Sequence, residues 1–319
     1  MVTIDLITGF LGSGKTTFLK KYAEYLMDQG LHIGILENDF GAINVDMLML
    51  HELRGDQCEL EMIAGGCDAE SHRRRFRTKL ISMRMCGYDR VLVEPSGIYD
   101  VDEFFDVLRE DPLDQWYEIG NVIAILDARL EKNLSQQADY LLASEAANAG
   151  KVILSHADAA TRKQCEDTVA HLNRALEQLR CDRRIDPEKD ILQTNLTDLT
   201  KEDLQEVSKC GYRLESYRKM DLENGQSFDS LFFMEEKITP EALERAVPRL
   251  FADKSCGEVF RIKGFVKNGA GQWMELNATQ DSRSMQPVAV GQEVLIIIGE
   301  HLQEDKIREI LKEEEKCQS

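Results

Sequence analysis

Gly9-Phe-Leu-Gly-Ser-Gly-Lys15-Thr16-Thr17, close to the start of the chain, fits GxxxxGK[ST], the pattern of a loop that wraps phosphates of a nucleotide. The residues ahead of it, 2–8, are branched and apolar and suit a buried strand. Those after it, 18–30, keep apolar side chains at helical spacing and stop at Gly30. Strand, glycine loop and helix in that order are the context the pattern needs. Gly9, Gly12 and Gly14 let the backbone N–H groups around Ser13 turn inward, and Lys15 can reach the terminal phosphate oxygens. The Thr16 hydroxyl is placed for Mg²⁺ at the positive end of the new helix, with Thr17 beside it.

The same rhythm continues. Short apolar runs at 32–37, 90–94, 121–127 and 151–155 are separated by stretches long enough for helices, which predicts an α/β fold: a P-loop NTPase domain with a mainly parallel sheet flanked by helices. In such sheets ligands sit beyond the carboxyl ends of the strands, so the polar residues that close each run are the place to look for chemistry. A charged, turn-rich stretch follows Asp182, with a helix expected near 201–208, and the composition changes around Asn224-Gly225. We therefore expect two domains, 1–224 and 225–319. The second is smaller and α/β, with strands at 227–234, 257–266, 272–278 and 288–298, a helix from Pro240 capped by Thr239, and a last helix at 304–312.

A chain of 319 residues with 43% hydrophobic content can bury a substantial core, and its net charge of −19 argues against a nucleic-acid surface. No apolar run is long enough to cross a bilayer and the N-terminus has no signal-peptide pattern, so a cytoplasmic protein with no membrane association is expected. Eight cysteines, with no CxxC pair among them, read mostly as reduced, buried residues.

Three strand ends carry candidate chemistry. Glu94-Pro-Ser96-Gly97 puts a carboxylate where it faces Mg²⁺ or its waters, with Ser96 and Gly97 near the terminal phosphate. Glu37-Asn-Asp39-Phe-Gly41 offers two carboxylates on a loop that either approaches metal and attacking water or merely caps a turn. Asp158, in Ser155-His-Ala-Asp158, stands where guanine-specific proteins of this architecture carry NKxD; an Asp there can accept hydrogen bonds from guanine N1 and N2. Ser155 and His156 replace the Asn and Lys that brace the loop and cover the base, which weakens the expected discrimination between GTP and ATP.

Taken with Gly65-Gly-Cys67 and Ile125-Leu-Asp127, these segments resemble the CobW-type branch of the metallochaperone GTPases, the group that also holds HypB and UreG. Gly257-Glu-Val-Phe-Arg-Ile-Lys263, Trp273 and Ile296-Ile-Ile-Gly299 resemble that family's second domain. The resemblance implies GTP hydrolysis with Mg²⁺, coupled to metal delivery or metallocofactor assembly. It implies phosphate roles for Gly12, Ser13, Gly14 and Lys15, Mg²⁺ roles for Thr16 and Glu94, and switch or water-orienting roles for Glu37 and Asp39. The expected partners are a guanine nucleotide and a client metalloenzyme or cofactor-assembly protein, with a homodimer left open. One departure stands out: the family's CxCC cluster is here Cys67-Asp-Ala-Glu70-Ser-His72. Cys67, Glu70 and His72 are candidates for a mixed second-metal site for Zn²⁺ or another transition metal, weaker and less zinc-selective than three thiolates.

Two other readings remain open at this stage. A nucleotide-gated activator would dock a metalloenzyme, for example a corrinoid-dependent one, without carrying metal. A P-loop ATPase or small-molecule kinase would use Arg73-Arg-Arg75-Phe-Arg77 as a lid, although Arg73 and Arg77 also suit an exposed helix face.

Overall fold

The computed structural model describes residues 1–10, 12–39, 49–64, 69–96, 101–130, 134–218, 229–234, 238–280, 283–289 and 291–316. The chain divides into two compact units, Met1–Met220 and Asp221–Ser319.

In the first unit a seven-stranded sheet runs in the order β3-β2-β4-β1-β5-β6-β7. The strands are β1 (Val2–Thr8), β2 (Ile33–Asp39), β3 (Cys58–Ala64), β4 (Arg90–Pro95), β5 (Tyr117–Asp127), β6 (Lys151–Ser155) and β7 (Ile191–Gln193). Every pairing is parallel. Parallel strands need crossovers, and the crossover helices cover both faces, which is why β1, β4 and β6 read as nearly unbroken apolar runs. Against one face pack α1 (Lys15–Asp28), through Phe18, Leu19 and Tyr22, and α7 (Lys201–Val207), through Leu204 and Val207. The other face is covered by α2 (Ala69–Arg84), α3 (Val101–Leu108), α5 (Gln136–Ala147) and α6 (Arg162–Gln178). The short α4 (Leu113–Trp116) leads into β5.

Two strands escape the sequence reading. β3 alternates Glu59 and Glu61 with apolar residues and lies at the sheet edge, so it has no continuous apolar run. β7 has only three residues.

A buried polar knot ties the centre of the sheet to α1. Asp5, fully buried on β1, accepts from the Tyr22 hydroxyl at 2.8 Å, from Arg90 on β4 at 2.8 Å and from the backbone N–H of Asn121 on β5 at 2.8 Å. Burial, with the Asp5 charge beside it, pushes the Tyr22 phenol far above its ordinary value.

The second unit is an antiparallel sheet ordered β11-β10-β9-β12-β8, built from β8 (Asp229–Met234), β9 (Glu258–Lys267), β10 (Trp273–Thr279), β11 (Arg283–Val288) and β12 (Val294–Glu300). The strand predicted over 288–298 resolves into the end of β11 and the start of β12, because Val288 pairs with Trp273 whereas Val294 pairs with Phe265. One sheet face packs on α8 (Pro240–Ala252) and α9 (Glu304–Lys316) through Leu243, Val247, Ile262, Ile297 and Ile307. Thr239 caps α8 by accepting from Ala242 N–H, with Pro240 at the first helical position.

Candidate functional site

At the carboxyl end of β1 the backbone turns sharply. Gly9 has φ 147°, and a Cβ there would lie 2.1 Å from the Ile125 carbonyl oxygen. Gly14 has φ 94°, and a Cβ there would lie 2.6 Å from Leu196 Cδ1. Only glycine meets both demands. α1 then starts at Lys15 with Gly14 as its N-cap and no side-chain cap, so its first N–H groups stay available to an anion. Gly12 takes φ 78°, and Leu11 lies outside the described residues. Ser13 is 1% exposed, and its Oγ has no hydrogen-bond partner among the described residues. This glycine cradle with an inward-facing hydroxyl fits a phosphate chain.

Lys15 is buried, and its Nζ donates to the Gly9 carbonyl at 2.8 Å. The Thr16 hydroxyl donates to Glu94 Oε1 at 2.9 Å. Thr17 is exposed. Glu37 stands in register with Glu94 across the β2–β4 pair; each is 3% exposed, and strand alternation puts Glu37 on the α1 side with Ile35. Sheet order thus brings Lys15, Thr16, Glu37 and Glu94 together from three elements. Thr16 and Glu94 are hard oxygen donors of the kind Mg²⁺ prefers.

Asp39 closes β2 opposite Ala64, and its side chain lies outside the described part. Ser96 is half-buried, with its N–H donating to the Asn38 carbonyl at 2.9 Å; Gly97 lies outside the described residues.

Asp158 is exposed in the turn after β6, with Oδ2 3.4 Å from Asn195 Nδ2. The segment carrying Asn195 was not singled out in the sequence. It joins two regions, since the neighbouring Leu196 faces Gly14 and Lys21 of α1 donates to the Thr197 carbonyl at 2.7 Å. A second cluster was also missed. Asp127, ending β5, accepts from Arg129 Nε at 3.1 Å and Nη2 at 3.0 Å and lies 2.9 Å from His156 Nδ1. Burial alone would raise the Asp127 carboxyl, yet its hydrogen bonds with His156 and Arg129 hold it well below the usual carboxylate range. The sequence singles out Asp127 within the family resemblance and His156 as a departure from NKxD, with no sign that the two meet.

The structure does not bring Glu70 and His72, two of the candidate second-metal residues, together. Glu70 is exposed and pairs with Arg74 at 3.1 Å, whereas His72 is fully buried with Nδ1 3.6 Å from Glu103 Oε1. Two residues apart on α2, they occupy opposite helix faces. Cys67 lies outside the described residues, and among the described residues no three His, Cys, Asp or Glu side chains converge as a metal set. Glu70 and His72 therefore do not converge on one ion. Arg73 and Arg77 both reach Glu110, at 2.7 and 3.0 Å, fastening α2 to the turn that follows α3.

A parallel sheet whose first strand opens through a glycine loop into a helix, with Lys15 and Thr16 facing strand-end carboxylates, defines a P-loop nucleotide-binding protein. Residues 3–185 match the nucleotide-binding domain of CobW/HypB/UreG, and residues 230–315 match the cobalamin synthesis protein cobW C-terminal domain. The chain belongs to the CobW/HypB/UreG family.

Zinc chaperone YeiR of Escherichia coli (strain K12) is 31% identical over 157 residues, 47% of this chain and 47% of its own. Zinc chaperone YjiA of the same organism is 27% identical over 186 residues, 54% of this chain and 55% of its own. The chain thus spans about half the length of these curated relatives. The crystal structure of Zn(II)-bound YjiA GTPase aligns over 98% of each chain at 17% identity with a TM-score of 0.37, too loose a likeness to argue from.

Proposed function

We propose that this chain is a cytoplasmic, Mg²⁺-dependent, GTP-hydrolysing switch of the CobW type that acts in metal delivery or in the assembly of a metallocofactor or metalloenzyme. The observation that carries this reading is the 2.9 Å link between Thr16 and Glu94, beside Lys15 and with Glu37 in register. Gly9, Gly12, Ser13, Gly14, Lys15, Thr16 and Thr17 hold the phosphates, and Asp158 reads the guanine edge. Thr16 and Glu94 would hold Mg²⁺, which when bound neutralises charge on the phosphate oxygens.

Lys15 leaves the Gly9 carbonyl for the terminal phosphates. Water attacks the γ-phosphorus, the bond from that phosphorus to the β–γ bridging oxygen breaks, and Glu37, Glu94 or Asp39 orients the water. Catalysis rests on positioning and electrostatic stabilisation by Lys15 and the loop N–H groups. Ser96 and Gly97 stand with the terminal phosphate.

Lys15→Ala is expected to abolish GTP hydrolysis, measured as phosphate release; full activity in that variant overturns the reading. A second reading is favoured by the opposed directions of Glu70 and His72. On that reading the protein is a nucleotide-gated activator that docks a metalloenzyme and holds no metal itself.

A further inference from the structure

His156 replaces the lysine expected to cover a guanine base, and the structure gives it an unusual setting. It follows β6 directly and adopts φ 53°, a left-handed conformation that a non-glycine residue holds only where its contacts offset the cost. Those contacts are specific. His156 Nδ1 lies 2.9 Å from Asp127 Oδ2 and 3.3 Å from Ser155 Oγ, which turns one edge of the ring inward. Ser155 itself is buried and donates to the Leu126 carbonyl at 3.1 Å, joining β6 to β5. The His156 side chain nevertheless remains 41% exposed beyond the strand ends.

Two further groups share the place. Arg129, a second planar group, is held on the same Asp127 carboxylate. Asp158 is carried by the same turn, which closes through Ala159 N–H donating to the His156 carbonyl at 3.1 Å. A ring fixed along one edge, beside a carboxylate that accepts from guanine, is set to lie against the face of the base.

We propose that His156, held by Asp127 in a left-handed turn beside Arg129, packs against the plane of the purine whose edge Asp158 reads, and so does the work of the absent lysine. The proposal rests on the reading of Asp158 as the guanine-facing carboxylate. Stacking tolerates either purine, so His156 sets how tightly the base is held and Asp158 sets which base is held.

Isothermal titration of the full chain with GDP, ADP and inorganic tripolyphosphate, each with Mg²⁺, tests this on the wild type, His156→Ala, His156→Lys and Asp158→Ala. His156→Ala is expected to weaken GDP about tenfold while leaving tripolyphosphate unchanged, and His156→Lys to restore most of the loss. Asp158→Ala is expected to remove the preference for GDP over ADP. If His156→Ala weakens GDP and tripolyphosphate equally, the residue only shapes the turn and the proposal fails. If it binds GDP as the wild type does while Asp158→Ala loses its preference, the guanine reading stands and the proposal alone fails. Wild-type binding by both variants overturns both.

Discussion

Glu145 is fully buried near the end of α5, and neither of its carboxylate oxygens has a hydrogen-bond partner among the described residues. Burial pushes its carboxyl up to about 8, against a smaller opposing pull from the Lys15 charge. The consequence for stability has a definite sign. Above the ordinary carboxylate range the unfolded chain has released this proton while the folded chain keeps it. Stability therefore falls as pH rises from there, and the full penalty is present only above about 8. Glu145→Gln keeps the shape and removes the ionisation, so it should raise the melting temperature clearly at pH 8 and hardly at pH 4.5. A gain that is the same at both pH values would contradict this account. At the same scale, Gly9 and Gly14 were legible because their types are part of the loop pattern. The pairing of His156 with Asp127 was not, since the end of β5 and the turn after β6 come together only when those two strands pair.

Among the elements, Asp5 shows how the strands that carry the site are kept in register. Its carboxylate gathers donors from α1, β4 and β5, so the helix that follows the phosphate loop is fastened to the strand that carries Glu94. Asp5→Ala leaves the guanidinium of Arg90 without its buried counter-charge, a loss of about 3–5 kcal/mol. Equilibrium urea unfolding should show it as a much lower midpoint, and an unchanged midpoint would remove the knot from the explanation. The sequence reading found the five strands with apolar runs, with stretches between them long enough for helices, because burial on both faces demands continuous hydrophobic stretches. It missed β3, whose edge position permits glutamates, and it merged part of β11 with β12, whose apolar residues follow one another closely. Asn195 and Leu196 were also missed, because a short segment after a three-residue strand carries no periodic signal.

For the molecule as a whole, the two proposed readings differ in whether the protein itself holds a metal ion. Reduced protein titrated with Zn²⁺, with and without GTP, decides between the two readings. Metal delivery requires binding that depends on nucleotide and falls on Cys67→Ala; absence of such binding leaves the activator. The acidity of the chain, with 58 Asp and Glu against 39 Lys and Arg, leaves little positive surface to attract a polyanion, and no helix among the described residues is long and apolar enough to cross a membrane. By itself the sequence determined the phosphate loop, the parallel α/β class and the family, because glycine, lysine and threonine at fixed spacing and apolar runs at fixed rhythm are local properties. Tertiary structure alone decided that Glu37 stands beside Glu94, that Glu70 and His72 face opposite ways, and that His156 is held by Asp127. Each of these depends on which strands pair and which helix face packs inward, and those choices are made by burial across the whole sheet.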